Sequence, residues 1–247
     1  MSFADHFSTQ AADYARFRPG YPAALYDAIA AAAPGRSLAL DVGTGNGQAA
    51  VALAERFDQV IATDPSADQI ARATAHPRVD YRVAAAEDDV VPAGTVDALT
   101  VAQALHWFDH PRFFATARRA LRPGGLLVAW TYSFARCTPD IDAALYAFHD
   151  AHIEPYWPPE RALVMNEYRD IVLPFAAVDL GTFAMVAHLN LDAYFGYLGT
   201  WSAVARYRAA TGHDPMPDWR AAVADAWGDP AEQRRIEWPL TVIAGRA

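Results

Sequence analysis

The run Leu40-Asp41-Val42-Gly43-Thr44-Gly45-Asn46-Gly47 constrains this chain more than any other feature. Apolar residues lead straight into three alternating glycines, and 47–57 then reads as a helix. Glycine takes positive φ without steric cost, and it lets a ligand approach the backbone with no Cβ in between. A strand, a glycine turn and a helix in that order make a ligand cradle in an open α/β sheet. The spacing is GxGxG. A dinucleotide fingerprint is GxGxxG, and its third glycine would fall on Gln48. Asp41 sets a negative charge beside the loop. That charge suits the ammonium of a methionine moiety better than a pyrophosphate, which a helix N-terminus would otherwise hold.

The rest of the first half repeats the alternation. Strand-like runs at 37–42, 59–63, 79–83, 96–101 and 126–131 are separated by helix-like stretches. One helix begins near Ser66, and another runs from about 111 to 121 and stops at the turn Arg122-Pro123-Gly124-Gly125. This pattern predicts a parallel sheet covered by helices on both faces. From about 133 to 173, and from 191 to about 233, the chain reads as helical. Strands at 181–188 and 235–244 follow the two helical stretches. The expectation is one domain over 1–247, with a core of 1–132, 180–190 and 234–247. Helical cap insertions at about 133–179 and 191–233 would pack over one end of the sheet.

Three further segments sit where open sheets place ligands, at the carboxyl ends of strands. Asp64 follows the glycine loop by about 20 residues, a spacing at which a carboxylate accepts bonds from ribose hydroxyls. Asp-Pro-Ser also suits a capped turn. Ala86 and Glu87 follow the third strand, where an adenine would cross the switch point, although Glu87-Asp88-Asp89 also suits a solvated acidic loop. Gln103-Ala104-Leu105-His106-Trp107-Phe108 follows the fourth strand, at the place of the reacting groups. His106 there is a candidate general base, with an unperturbed pKa of about 6.5. His106 and His110 share the i, i+4 spacing of a helical metal pair. Pro111 and the missing glutamate of HExxH argue against a metal, and none is expected.

Composition removes whole reaction classes. All 20 basic residues are arginine and none is lysine, which excludes a pyridoxal phosphate Schiff base and a lysine P-loop. A net charge of -9 disfavours tracking a phosphate backbone, so no nucleic-acid partner is expected. One cysteine, Cys137, allows no intramolecular disulfide and reads as a small packed residue. The first residues lack a secretory pattern, and the apolar runs are too short to span a membrane. A cytoplasmic, membrane-free protein is the expectation.

Taken together, these residues resemble class I S-adenosylmethionine-dependent methyltransferases of the small-molecule branch, similar to trans-aconitate methyltransferases. The likeness includes Phe7…Ala11…Tyr14…Arg18-Pro19-Gly20-Tyr21-Pro22, the loop from Asp41 to Gly47, Asp64, Ala86-Glu87-Asp88 and Gln103-Ala104-Leu105-His106-Trp107-Phe108-Asp109. It continues through Leu121-Arg122-Pro123-Gly124-Gly125, Tyr156-Trp157-Pro158-Pro159-Glu160-Arg161 and Trp201-Ser202-Ala203-Val204. The resemblance implies a Rossmann-like α/β fold with a seven-stranded, mostly parallel sheet whose last strand is antiparallel. It implies S-adenosylmethionine over the Gly43, Gly45, Gly47 loop. By carry-over, Tyr14 and Gly43 meet its methionine end, Asp64 the ribose, Ala86 and Glu87 the adenine, and Gln103 the sulfonium region. A cofactor-binding module without turnover and a nicotinamide-dependent oxidoreductase are the alternative readings.

Methyl transfer from a sulfonium is an in-line displacement that needs alignment and exclusion of water. A carboxylate acceptor needs a cationic clamp and no base, whereas a hydroxyl acceptor needs a base such as His106. The candidate clamps are Arg18, Arg136, Arg161 and Arg206, and Trp107, Trp157, Trp201 and Tyr207 are candidates for an apolar roof over a small-molecule acceptor.

Overall fold

A computed structural model describes residues 20–247. The chain enters through α1 (Ala23–Ala32) into β1 (Leu38–Val42), and α2 (Gln48–Ala54) follows the glycine turn. Next come β2 (Gln59–Asp64), α3 (Ala67–Ala71), β3 (Val79–Val83) and β4 (Val96–Ala102). Then α4 (His110–Ala120) leads into β5 (Leu121–Thr131). All five strands are parallel, in the spatial order β3-β2-β1-β4-β5. The order reverses between β1 and β4, so a crevice opens at the carboxyl ends of those two strands.

Residues alternate between the two faces of the sheet, as the pleat requires. Ala98, Val128 and Trp130 join Leu25, Ile29, Leu53 and Phe57 on one face. Leu40, Leu99, Val101 and Leu127 join Phe113 and Ala117 on the other. Both faces are covered, so β4 is buried throughout Val96 to Val101.

The α4 helix begins one residue earlier than the spacing suggests. Asp109 caps it by accepting from Arg112 N at 3.3 Å, and Pro111 occupies its first turn. The helix ends at Ala120, because Leu121 already pairs with Val96. Arg122 to Gly125 then bulge out of the ladder before Ala98 pairs with Leu126, and Gly124 takes φ of 77°.

The second half departs further from expectation. Ser133 to Thr138 is extended, and Arg136 bridges to Glu237 through N–H to O at 2.7 Å. Only α5 (Pro139–Phe148) and α6 (Arg161–Met165) are α-helical between 133 and 173. A π turn (His149–Ile153) and a 3-10 turn (Glu154–Tyr156) separate them. Pro155, Pro158 and Pro159 remove backbone donors there, which prevents a continuous helix. The short β6 (Ala176–Ala177) has no apolar alternation to announce it. It is followed by β7 (Phe183–Leu189), α7 (Leu191–Gly199), α8 (Ser202–Thr211), α9 (Met216–Trp227) and β8 (Arg234–Arg246).

The β8 strand is antiparallel to β5, and both β6 and β7 lie along its outer edge. They share one position, so the sheet has seven positions and β8 alone opposes the other directions. Thr241 pairs with Thr131, the last residue of β5. Arg234 to Leu240 therefore run past the sheet's carboxyl end and pair there with β7. Helices α7, α8 and α9, inserted between β7 and β8, are carried on this projecting ribbon above the crevice.

Candidate active site

The glycine loop is tied to β2 through its own backbone. Gly43 N and Thr44 N both donate to Thr63 O, at 2.8 and 2.9 Å. The three glycines all have positive φ, yet their surroundings differ. A Cβ on Gly43 would meet Ala104 Cβ at 2.6 Å, and one on Gly47 would meet the Tyr81 hydroxyl at 2.1 Å. A Cβ on Gly45 would meet no atom of the described residues within 4 Å. Gly43 and Gly47 are thus required by protein packing, while Gly45 borders open space above the loop.

Asp41 lies beneath this loop and does not reach across it. It is wholly buried, and both carboxylate oxygens are taken: Oδ2 accepts from Thr44 Oγ1 at 2.6 Å and Oδ1 from Thr100 Oγ1 at 2.7 Å. Burial pushes its pKa up to about 6, against the two hydroxyl bonds, with the charge of Asp64 adding to the rise. Through these two bonds the carboxylate ties the loop to the sheet.

Asp64 closes the other side. Its Oδ2 accepts from Gly45 N at 2.9 Å and its Oδ1 from Ser66 N at 2.9 Å. The capped Asp-Pro-Ser turn is therefore present, with the same carboxylate against the loop. Glu87 is half-buried beside the exposed Asp88 and Asp89, and its Oε1 accepts from Asp109 N at 3.0 Å. Ala86 packs beside it against the apolar layer under α4. These contacts join the ends of β1, β2, β3 and β4 into one rim.

A cavity opens beside this rim, beneath the roof helices. Its walls include Gln103, His106, Trp107, Tyr132, Trp157, Arg161, Tyr197 and Trp201. Gln103 has φ of 54°, rare for a side-chain-bearing residue. Its amide is clamped to the end of β5: Nε2 donates to Tyr132 O at 3.0 Å, and Oε1 accepts from Tyr132 N at 3.3 Å and from Thr131 Oγ1. His106 sits in a 3-10 turn (Leu105–Trp107), with Nδ1 3.0 Å from the Tyr168 hydroxyl. Burial, helped by the charges of Arg161 and His110, pushes its pKa from 6.5 down to about 3. The expected titration near 6.5 is thereby corrected: this imidazole is neutral at working pH. His110 turns away, with Nε2 3.0 Å from Leu105 O.

The roof contributes Trp157, whose ring lies 5.4 Å from that of Trp201 and whose Nε1 donates to His149 Nε2 at 2.8 Å. The Arg161 guanidinium lies 3.7 Å from the Trp157 ring centre. Among the described lining residues, Arg161 is the only charged side chain. Arg136 instead borders a separate cleft, and Arg206 and Tyr207 are not in the wall. Tyr14 and Arg18 lie outside the described residues. Sequence reasoning did not single out Tyr132, Val164, Tyr168 or Tyr197, since an aromatic that serves a site and one that fills a core read alike. Among the described residues, no group of three or more His, Cys, Asp or Glu is placed to hold a metal ion, and no helix is long and apolar enough to cross a membrane.

A family model described as a methyltransferase domain matches residues 40–129, which span β1 to β5. The chain is 36% identical over 231 residues to a Dictyostelium discoideum protein named as a methyltransferase, covering 91% of this chain and 87% of that one. A solved structure from Anaeromyxobacter dehalogenans, described as a type II methyltransferase, is 44% identical with a TM-score of 0.87, covering 93% of this chain and 98% of that one. A Saccharomyces cerevisiae protein named as an S-adenosylmethionine-dependent methyltransferase is 31% identical over 132 residues, covering 50% of this chain and 45% of that one. This chain belongs to the class I S-adenosylmethionine-dependent methyltransferases. Its cofactor is S-adenosylmethionine, and the open space over Gly45 is a cradle that fits such a ligand.

Proposed function

We propose that this methyltransferase acts on a small organic acid whose carboxylate is held by Arg161 in the cavity under the roof helices. The observation that carries the reading is the placement of that guanidinium. It lies against the Trp157 ring at 3.7 Å, in the wall of the cavity. A planar guanidinium with fixed N–H directions suits a carboxylate. The resemblance to the trans-aconitate branch supports the same acceptor class.

S-adenosylmethionine, when bound, supplies an electrophilic methyl group on its sulfonium. Gly45 leaves room for the cofactor, and Gly43 and the backbone around it would meet the methionine end together with Tyr14. Asp64 would accept from the ribose while holding Gly45 N. Ala86 and Glu87 would border the adenine, and Gln103, fixed to β5, would shape the sulfonium region. Asp41 would act from below, by holding Thr44. Trp107, Trp157 and Trp201 would exclude water and align the acceptor, which is most of what an in-line displacement requires. A carboxylate attacks without losing a proton, so the neutral His106 is not needed as a base.

The test is turnover of a panel of di- and tricarboxylic acids, their amides and RNA and DNA oligomers, read as S-adenosylhomocysteine formed. Acids should turn over at a rate nearly flat from about pH 6 to 9. Arg161→Leu should raise KM for the acid by about tenfold or more and leave S-adenosylhomocysteine affinity within about twofold. Preferred methylation of amides or oligomers, or an unchanged KM in Arg161→Leu, would refute the assignment.

A further inference from the structure

His149 opens the π turn and is 1% exposed, yet it does not border the cavity. It is enclosed by rings, with centres at 4.8 Å for Phe134, 5.9 Å for Trp201, 6.3 Å for Trp157 and 6.4 Å for Trp219. A buried imidazole needs partners for both nitrogens. Nδ1 lies 2.7 Å from Asp150 Oδ1, and Nε2 lies 2.8 Å from Trp157 Nε1. Glu154 Oε2 stands farther off, 3.5 Å from Nε2.

The hydrogens on these bonds have one consistent placement. An indole N–H only donates, so His149 Nε2 is bare and accepts. An ionised carboxylate only accepts, so Nδ1 carries the hydrogen and gives it to Asp150. The ring is therefore neutral, in its Nδ1–H tautomer. A hydrogen on Nε2 would suit Glu154 but would face the indole hydrogen, and the indole is the nearer of the two.

This bond spans the part of the roof where the backbone holds least. Pro155, Pro158 and Pro159 offer no N–H, and Trp157 N reaches back only one tight turn, to Glu154 O at 3.2 Å. His149 gives the Trp157 side chain an anchor from outside that turn. Arg161 lays its guanidinium 3.7 Å from the Trp157 ring centre and 5.3 Å from that of Phe134, and Phe134 itself packs on His149.

We propose that His149 is a positioning residue for the cavity: it holds the Trp157 indole by its one polar atom, and Trp157 in turn backs the Arg161 guanidinium. His149 thereby acts on the cavity wall from behind, without touching what the cavity binds. The effect on an acid acceptor rests on the reading of Arg161 given above; the hold on Trp157 does not.

NMR of the cofactor-free protein tests the hold without an acceptor, with His149 identified by the signal lost in His149→Gln and the indole by the signal lost in Trp157→Phe. Ring nitrogens with and without hydrogen resonate far apart, so the tautomer is read directly. Free neutral imidazole in water prefers Nε2–H, and His149 should show the opposite. The Trp157 indole hydrogen should exchange with water about tenfold faster in His149→Phe than in the parent. His149→Gln keeps an acceptor near the place of Nε2 and should recover most of that protection. In thermal melts, His149→Phe and Trp157→Phe should together cost less than the sum of their separate effects, because each removes the same bond. For the acid that turns over best, His149→Phe should raise KM about fivefold, His149→Gln should recover most of it, and S-adenosylhomocysteine affinity should stay within about twofold. An Nε2–H or doubly protonated ring in the parent, fully additive melting effects, or an unchanged KM in folded His149→Phe overturns the proposal. The ring and melting readings use no acceptor, so they decide the hold on Trp157 even if the carboxylate screen fails.

Discussion

The glycine cradle and the cavity proposed for the acceptor are made of different material. The first is backbone: three glycines in one short turn, with N–H groups donating to Thr63 O and to Asp64. The second is side chains: Gln103 after β4, Tyr132 after β5, Trp157 and Arg161 from the broken helices, Tyr197 and Trp201 from α7 and the turn after it. A backbone cradle depends on a few adjacent residues and suits a ligand shared across a whole family. A side-chain cavity can be altered one wall at a time, which suits the partner that differs between members.

The largest effect that would break this contrast is at Gly45. Gly45→Val should weaken S-adenosylhomocysteine binding by about 100-fold or more in calorimetry, because its side chain fills the open space over the loop. The strained φ costs about 1–3 kcal/mol, so the variant should melt lower yet stay folded by circular dichroism. Gly43→Ala should behave differently, losing stability first through the clash with Ala104. Near-normal cofactor affinity in folded Gly45→Val would reduce the loop to a turn.

A smaller effect concerns the support beneath the loop. The folded pKa of Asp41, about 6, lies above its ordinary value of 3.8. Between those values the native state binds more protons than the unfolded chain, so stability falls as pH rises through the window and stays lower above it. The full swing is roughly 3 kcal/mol. Thermal melts from pH 4 to 7 should show the parent gaining on Asp41→Asn as pH falls. A constant gap would mean that the buried carboxylate is not strained by its surroundings.

The smallest effect is at Asp64. Asp64→Asn keeps one acceptor but turns an amide N–H toward Gly45 N or Ser66 N, and should weaken S-adenosylhomocysteine about tenfold. Arg161→Leu is the control from the other side, since it should leave that affinity alone. An Asp64→Asn protein with parental affinity would remove this carboxylate from the ribose site.

The same contrast explains what could be read from the residues alone. Strands β1 to β5 and the glycine loop were legible because apolar runs, turn glycines and strand spacing are local signals. The neutral His106 was not, because its pKa is set by burial and by Arg161, 55 residues away in sequence (161 − 106). The partners of Asp41 were hidden for a related reason: the hydroxyls that hold it include Thr100, on a neighbouring strand. The roof was legible as helical in outline only. Its breaks follow Pro155, Pro158 and Pro159, yet which wall each fragment forms depends on how it packs on the β7–β8 ribbon.

The aromatic wall gives the molecule an optical property. Of its seven tryptophans, Trp130, Trp219, Trp227 and Trp238 are sealed in the interior, while Trp107, Trp157 and Trp201 border the cavity. A molecule entering that space changes the surroundings of three indoles and leaves four as a constant background. Trp157 already lies against the guanidinium of Arg161, so an anion drawn to that charge shifts the emission of the ring beneath it. Intrinsic fluorescence therefore reports occupancy of this cavity directly, in native protein, before any methyl group has moved.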